Sequence, residues 1–141
     1  MPTAMSKDKV IPLFCLLYAA LGLSFLRHRN DGFTKIPRDQ VYFGVKALVK
    51  RHPEYFDNIA FTELVSGLHY SSAVEDTIFR LLGGILEVRG PKYQYLGFVD
   101  GQLEIVETKL ADWLDPQTRT IVEQLAEEFY EAVKDGKALS A

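Results

Sequence analysis

The stretch "ELVSGLHYSSAVEDTIFRLLGG", residues 63–84, carries the strongest local signals for the fold of this chain. Apolar residues from Phe61 to Leu68 recur at i, i+3, i+4 and i+7, which is the spacing of a short amphipathic helix. The serine pair at 71–72 can cap a second helix, and the glycine pair at 83–84 ends it. The stretch therefore predicts two helices joined by a tight turn.

The helix predicted before this stretch is basic. The segment "PRDQVYFGVKALVKRH", residues 37–52, has a proline suited to a first turn and apolar residues at helical spacing. Between residues 27 and 52, Lys and Arg outnumber Asp and Glu by seven to two, although the whole chain has a net charge of -3. The segment therefore predicts either a solvated helix face or a surface that contacts phosphates or an acidic partner.

After residue 84 the apolar period changes from helical to two. The segments "ILEVRG", "KYQYLGFV" and "GQLEIVE" are each typical of a short strand. Turns separate them at Gly90-Pro91 and at Asp100-Gly101, and the second dipeptide is a strong hairpin signal. The sequence therefore predicts an α+β fold that is mostly helical, with a β-hairpin or a three-stranded sheet after the helices.

The order helix, helix, turn, helix and hairpin over residues 38–106 resembles a winged-helix domain. In this resemblance "FTELVSGL" is the support helix, "SSAVEDTIFRLL" is the recognition helix and "ILEVRGPKYQYLGFV" is the wing. The resemblance implies either DNA reading or, as in accessory subunits of ATPase complexes, the gripping of another protein. Two details depart from it, because the turn after Leu68 is slightly short and His69 stands where such turns often use glycine.

The third helix of the resemblance has the wrong charge for reading DNA. Base edges are read mainly by Arg, Lys, Asn and Gln, and carboxylates repel the phosphates that line a groove. We therefore expect a non-enzymatic protein-binding adaptor or a regulatory subunit of a larger complex, which binds a protein partner or a second copy of itself. The predicted partner-binding residues are Glu75, Asp76, Phe79, Tyr93 and Tyr95. The tyrosines can instead pack the hairpin on its own helices.

The alternative function is a dimeric DNA-binding transcription regulator that associates through its first and last helices. Its phosphate contacts would come from the basic helix and the wing rather than from the third helix. The predicted DNA-binding residues are Arg38, Lys46, Lys50, Arg89 and Lys92.

Helices are also predicted near both ends of the sequence. Residues 10–26 are a run of seventeen uncharged residues, which as a helix is about 25 Å long, the lower limit for crossing a bilayer. They form either a buried core or interface helix or, as a third hypothesis, the anchor of a membrane-bound regulator. Residues 115–135 predict a capped amphipathic helix that docks on the core or pairs with a second copy. Residues 1–8 are expected to be a flexible terminus.

Composition and the scattered polar residues bear on the chemistry of the chain. With 48% hydrophobic and 25% charged residues, the 141 residues are expected to form a single globular domain. The single cysteine, Cys15, allows no internal disulfide and favours a reducing, cytoplasmic location. The sequence has no histidines at metal-ligand spacing, no glycine-rich phosphate loop and no acid–base pair. We therefore expect no enzyme activity, metal, cofactor or small-molecule substrate.

Overall fold

The computed structural model describes residues 10–56, 59–65, 67, 69–90, 92 and 94–140, and side chains up to residue 134. The predicted flexible terminus, residues 1–8, lies outside them. The described residues form an α+β fold that is mostly helical, which confirms the predicted fold class. The described helices are α1 Leu13–His28, α2 Arg38–Arg51, α3 Ser72–Leu81, α4 Val106–Trp113 and α5 Pro116–Ser140. The described strands are β1 Ile36–Pro37, β2 Thr62–Glu63, β3 His69–Tyr70, β4 Leu86–Arg89 and β5 Tyr95–Phe98.

Helix α1 lies at the centre of the core. Every residue from Leu16 to Phe25 is buried, so this part of the apolar run is covered by protein on all sides. A helix that is apolar all round must be enclosed, and here α3, α4 and α5 pack around α1. The prediction of a buried core helix is therefore confirmed. Among the described residues, no helix combines the length and the apolar character needed to cross a membrane.

Helix α5 covers α1 and α2 with its apolar face. Asp115 Oδ1 accepts a hydrogen bond of 2.7 Å from the Thr118 backbone N–H, which confirms the predicted cap. Ser24 Oγ on α1 donates to the Ala126 carbonyl at 3.3 Å. The buried residues of this face are Val122, Leu125, Ala126, Phe129 and Val133. The apolar face of α5 is therefore occupied by the chain's own core, and the helix runs beyond its predicted end at residue 135.

A glycine brings α2 close to α5. A Cβ atom placed on Gly44 would lie 2.8 Å from Cγ1 of Val133, and closer still to the ring of Phe129. Real Cβ atoms essentially never approach another atom this closely, and protein interiors have no spare volume to absorb it. The absence of a side chain at Gly44 therefore sets the distance between the two helices.

The larger sheet has the strand order β1-β5-β4, with both pairings antiparallel. Leu96 on β5 stands opposite Ile36 on β1 and Val88 on β4. Phe98, two residues along the same face, contacts Phe25 of α1 with ring centroids 5.8 Å apart. The predicted hairpin is therefore confirmed, and its core-facing side packs on α1.

The helix predicted from Phe61 to Leu68 is wrong. Strands β2 and β3 instead pair antiparallel in a small hairpin, although Leu68 itself lies outside the described residues. Gly67 takes part in the turn with φ of 88°, and its N–H donates to the Leu64 carbonyl at 2.8 Å. Glycine adopts this left-handed backbone conformation without steric cost. An isolated helix of only two turns, by contrast, has little stability of its own. The turn at Gly67 therefore favours a hairpin over the helix that the apolar spacing predicted.

The third strand predicted in "GQLEIVE" is also wrong. Gly101 forms a turn with φ of 86°, as predicted, but the chain then enters a 3-10 turn, Leu103–Ile105, and helix α4. Val106 and Leu110 are buried on one face of α4 because they lie four residues apart. Over so few residues the apolar pattern does not distinguish a strand from the approach to a helix.

Helix α3 forms where the sequence predicts the second helix. Ser71 is its cap, since Ser71 Oγ accepts from the Val74 backbone N–H at 3.3 Å. The helix ends at Leu81, and Gly83 follows with φ of 91°. Helices α2 and α3 and the β4–β5 hairpin thus match the winged-helix resemblance, whereas its support helix is replaced by the β2–β3 hairpin. The winged-helix assignment stays a prediction.

Candidate protein-interaction site

Glu75 on α3 is bound by α2 and is not directed freely to solvent. Arg38 Nη2 donates to Glu75 Oε2 at 2.9 Å. The Tyr42 hydroxyl makes a short hydrogen bond to the other carboxylate oxygen, Oε1. We call these three residues the Glu75 cluster. The cluster joins the first turns of α2 to the first turn of α3, so the carboxylate predicted to meet a partner also holds the fold together.

The environment of Tyr42 keeps its hydroxyl protonated. Only 4% of Tyr42 is exposed. Burial raises its pKa, and the hydrogen bond and negative charge of Glu75 raise it further, while Arg38 opposes them. The phenol therefore serves as a neutral donor to Glu75 across the ordinary pH range.

Lys46, which lies one helical turn after Tyr42 on α2, contacts the small hairpin. Lys46 Nζ lies 2.9 Å from Nδ1 and 3.1 Å from Nε2 of His69 on β3. An ammonium group can donate only to a ring nitrogen that carries a lone pair. The ring of Tyr70 lies beside that of Tyr42, with centroids 5.6 Å apart. Arg38, Tyr42 and Lys46 follow one another every four residues and therefore form a seam against α3 and β3, whereas Lys50, next in this row, is exposed.

Phe79 and Asp76 are the predicted partner-binding residues that α3 presents to solvent. Phe79 is 68% exposed, and Asp76 is also exposed. Phe79 lies one helical turn after Glu75, on the same side of the helix. Val74, Ile78 and Leu81 of this helix are buried. We call Glu75, Asp76 and Phe79 the Phe79 surface.

Tyr95 connects the large sheet to the Glu75 cluster. It lines a shallow pocket of about 310 Å³ together with Arg38, Asp39 and Gln94. The Arg38 backbone N–H donates to the Gln94 carbonyl at 2.8 Å, and Lys35 Nζ lies 4.6 Å from the centre of the Tyr95 ring. The structure therefore places Arg38 near Tyr95 as well as in contact with Glu75. Tyr93, also predicted as a partner contact, lies outside the described residues.

The two predicted DNA-binding residues of the wing, Arg89 and Lys92, differ in their contacts within the chain. Arg89 Nε donates to Glu87 Oε2 at 2.9 Å, and its Nη2 donates to the Phe98 carbonyl at 2.6 Å. Its guanidinium covers Gly97, where a Cβ atom would lie 2.7 Å from Cζ of Arg89. Arg89 is therefore built into the hairpin. Lys92 is exposed, with φ of 63°.

Three apolar residues on α2 and in the turn after β2 are exposed, although the sequence did not indicate it. Val65 is completely exposed, Leu64 is 41% exposed, and Phe43 on α2 is 43% exposed. The first two were assigned to the buried face of a helix that does not form. Phe43 could have been found, because it falls out of phase with the buried residues Val41 and Val45.

The possible metal ligands and the Cys15 thiol give little support for metal or thiol chemistry among the residues that the structure describes. Its His, Cys, Asp and Glu side chains form no group of three or more that could hold a metal ion. Cys15 is half-buried, and burial raises the pKa of its thiol, which disfavours the reactive thiolate.

Comparisons with known proteins assign no family to this chain. No protein-family model matches the sequence, and no curated protein matches it at a significant level. Function is therefore inferred from the chain's own residues and their geometry.

Proposed function

We propose that the protein is a non-enzymatic protein-binding adaptor or a regulatory subunit of a larger complex, which binds its partner through the Phe79 surface. The observation that carries this proposal is the 68% exposure of Phe79, on a helix whose inner face is already filled. Covering an aromatic side chain of this kind releases about 1.5–3 kcal/mol. A partner that buries Phe79 would gain this free energy, whereas the isolated chain does not.

The Glu75 cluster supports the proposal by making the surface rigid. Arg38 and Tyr42 hold Glu75 from two directions, and Ser71 caps the start of α3. A side chain on a fixed helix loses little conformational entropy when it is bound. The backbone that carries Phe79 is therefore held in place, as suits an anchor of a protein interface.

The alternative of a dimeric DNA-binding regulator has less support. Arg38 and Arg89 already donate to carboxylates within the chain, which lowers the positive charge that they could offer to phosphates. The apolar faces of α1 and α5, through which the dimer was expected to form, pack against each other. Lys50 and Lys92 remain exposed and available to phosphate.

Site-specific photo-crosslinking tests the adaptor proposal. A photoreactive phenylalanine analogue placed at position 79 should crosslink a discrete protein in lysate of the native host, and Phe79→Ser should abolish co-purification of that protein. The matched control is the same analogue at Ile105, which is 36% exposed and lies on the 3-10 turn before α4. Equal crosslinking from both positions, or none from position 79, would reject the proposal.

A salt-dependent DNA titration tests the alternative. The protein is titrated with mixed-sequence duplex DNA at low and at moderate salt. Binding that falls steeply with salt, and that is lost when Lys46 and Lys50 are both replaced by Glu, would favour the DNA-binding regulator. The adaptor proposal predicts no such binding.

A further inference from the structure

One exposed side of α2 combines positive charge with an apolar residue. Phe43, Lys46 and Lys50 are spaced i, i+3 and i+7, so their side chains leave the helix on the same side. Phe43 is 43% exposed, Lys46 is half-buried and Lys50 is exposed. This side of α2 is distinct from the face that packs on α5.

The β2–β3 hairpin extends this side of α2. The contact between Lys46 and His69, at 2.9 Å, attaches strand β3 to the helix. The turn that follows β2 carries Leu64, which is 41% exposed, and Val65, which is completely exposed. We call Phe43, Lys46 and Lys50, together with Leu64 and Val65, the basic strip.

The lysines of the basic strip are not neutralised by carboxylates of the described residues. Lys46 donates to an imidazole, which carries no negative charge to balance it. Lys50 forms no ion pair with any described residue. By contrast Arg27, Arg51 and Arg119 each have a glutamate of α5 within 4.0 Å. The strip therefore keeps uncompensated positive charge beside uncovered apolar side chains.

We propose that the basic strip docks an acidic, amphipathic peptide segment of a partner protein. Lys46 and Lys50 are separated by one helical turn, about 6 Å along the axis. Carboxylates four residues apart on a helix, or two residues apart on a strand, have nearly the same separation. The segment places its carboxylates on the two lysines and its apolar side chains on Phe43 and on the hairpin turn.

The size of the strip favours a peptide over a membrane or a nucleic acid. Anionic membranes hold proteins through clusters of about four to eight Lys and Arg, and DNA affinity grows with each phosphate that is neutralised. The strip offers two lysines. It is bordered by two exposed carboxylates, since Asp39 lies one turn before Phe43 and Glu63 stands opposite His69. These carboxylates repel a continuous phosphate surface, whereas a short peptide needs charge contacts with the two lysines alone.

This docking site is independent of the proposed role of Phe79. The Phe79 surface lies on α3, whereas the basic strip lies on α2 and the β2–β3 hairpin, and the two share no residue. A chain with both surfaces can join two proteins. A variant of the basic strip that keeps Phe79 therefore tests this inference separately from the adaptor proposal.

Peptide selection against the full chain tests the inference. A phage-displayed library of random dodecapeptides is selected on the immobilised protein, and the enriched peptides are synthesised. We expect enriched peptides in which Asp or Glu alternates with apolar residues, and affinities that fall with salt. Replacing both Lys46 and Lys50 by Glu should weaken binding about tenfold or more. Lys109→Glu on α4 makes the same kind of charge change elsewhere and should leave binding unchanged.

Two further variants and two competitors complete the experiment. Phe43→Ser should weaken binding by removing the apolar contact, while Phe79→Ser should not change it. Vesicles containing phosphatidylserine and mixed duplex DNA are titrated in parallel. Enriched peptides that lack acidic residues would overturn the inference, as would equal binding to wild type and the Lys46/Lys50 double variant. Tighter binding to vesicles or DNA than to the peptides would overturn it as well.

Discussion

His52 and Glu128 join the end of α2 to the middle of α5, with His52 Nε2 2.8 Å from Glu128 Oε1. Arg51 and Gln124 donate to the same carboxylate at 3.3 and 3.2 Å. Burial alone would raise the pKa of Glu128, but these hydrogen bonds and the charge of His52 outweigh it and lower the pKa. Acid therefore weakens the contact between the two helices.

We expect Glu128→Gln to flatten the acid side of the stability profile. A carboxylate whose pKa is lowered by folding stabilises the fold above its unfolded pKa, and this contribution is lost as the pH falls through the folded pKa. The window therefore lies below the ordinary value of 4.5. Urea unfolding at a series of pH values should show a smaller loss of stability in the variant than in wild type. Glu107→Gln, an exposed carboxylate on α4, is the control, and equal slopes would contradict the prediction.

Glu75→Ala should destabilise the fold far more than Asp76→Ala. The first change leaves the Tyr42 hydroxyl, on a residue that is 4% exposed, without its acceptor, which costs about 1–3 kcal/mol. The second removes an exposed carboxylate, and such changes usually stay within about 0.5 kcal/mol. Denaturant unfolding of the two variants measures the difference. Similar free energies of unfolding would show that the Glu75 cluster is not formed in solution.

Gly67→Ala should lower the stability of the protein. Alanine is strained at φ of 88°, so the substitution is expected to cost about 1 kcal/mol. If residues 61–68 were helical, alanine would instead stabilise them by about 1 kcal/mol. The sign of the change in melting temperature therefore decides between the hairpin and the helix predicted from the sequence.

Phe79→Ser should be tolerated, whereas Ile78→Ser should not. Ile78 is 0% exposed and Phe79 is 68% exposed, although they are neighbours in the sequence. Placing a serine at the buried position should cost about 3 kcal/mol or more, because apolar contacts are lost, a cavity is left and a hydroxyl is buried. Thermal unfolding of both variants checks which face of α3 is inside. Comparable destabilisation by both changes would contradict the assignment.

Gly44→Ala should destabilise the protein despite the higher helix propensity of alanine. The propensity gain is at most about 1 kcal/mol, whereas the new Cβ atom would meet Val133 at 2.8 Å and force α2 and α5 apart, at a cost of about 1–3 kcal/mol. Gly84→Ala, where no atom lies within 4 Å of the new Cβ, is the control. An unchanged or higher melting temperature for Gly44→Ala would refute the close packing.

Local signals predicted much of the helical structure. The Ser71 cap, the Asp115 cap and the uniform apolar run of α1 each depend on residues close together in the chain, so they can be read directly. The failures occur where the local pattern is ambiguous. Residues 61–68 and 101–107 are short apolar segments, and their outcome depends on the turns that Gly67 and Gly101 make.

The candidate site was harder to predict because its key contacts are long-range. Glu75 and Arg38 were assigned to different functions, yet they bind each other across 37 residues of sequence. A charged residue on an exposed helix face looks the same in the sequence whether it meets solvent or an opposite charge from another helix. The exposure of Phe79 was anticipated, because its place on α3 follows from helical periodicity alone.

The packing of α1 against α5 has a consequence for the synthesis of the chain. Ser24 and Ala126 are in contact but lie 102 residues apart, so the residues between them must leave the ribosome before α5 can cover α1. Until then the part of α1 that α5 covers stays exposed, and such nascent apolar surfaces recruit chaperones or aggregate. The contact also closes a long loop, which slows the search for the native topology. The contact between α1 and α5 therefore forms only after the segment between them has been synthesised.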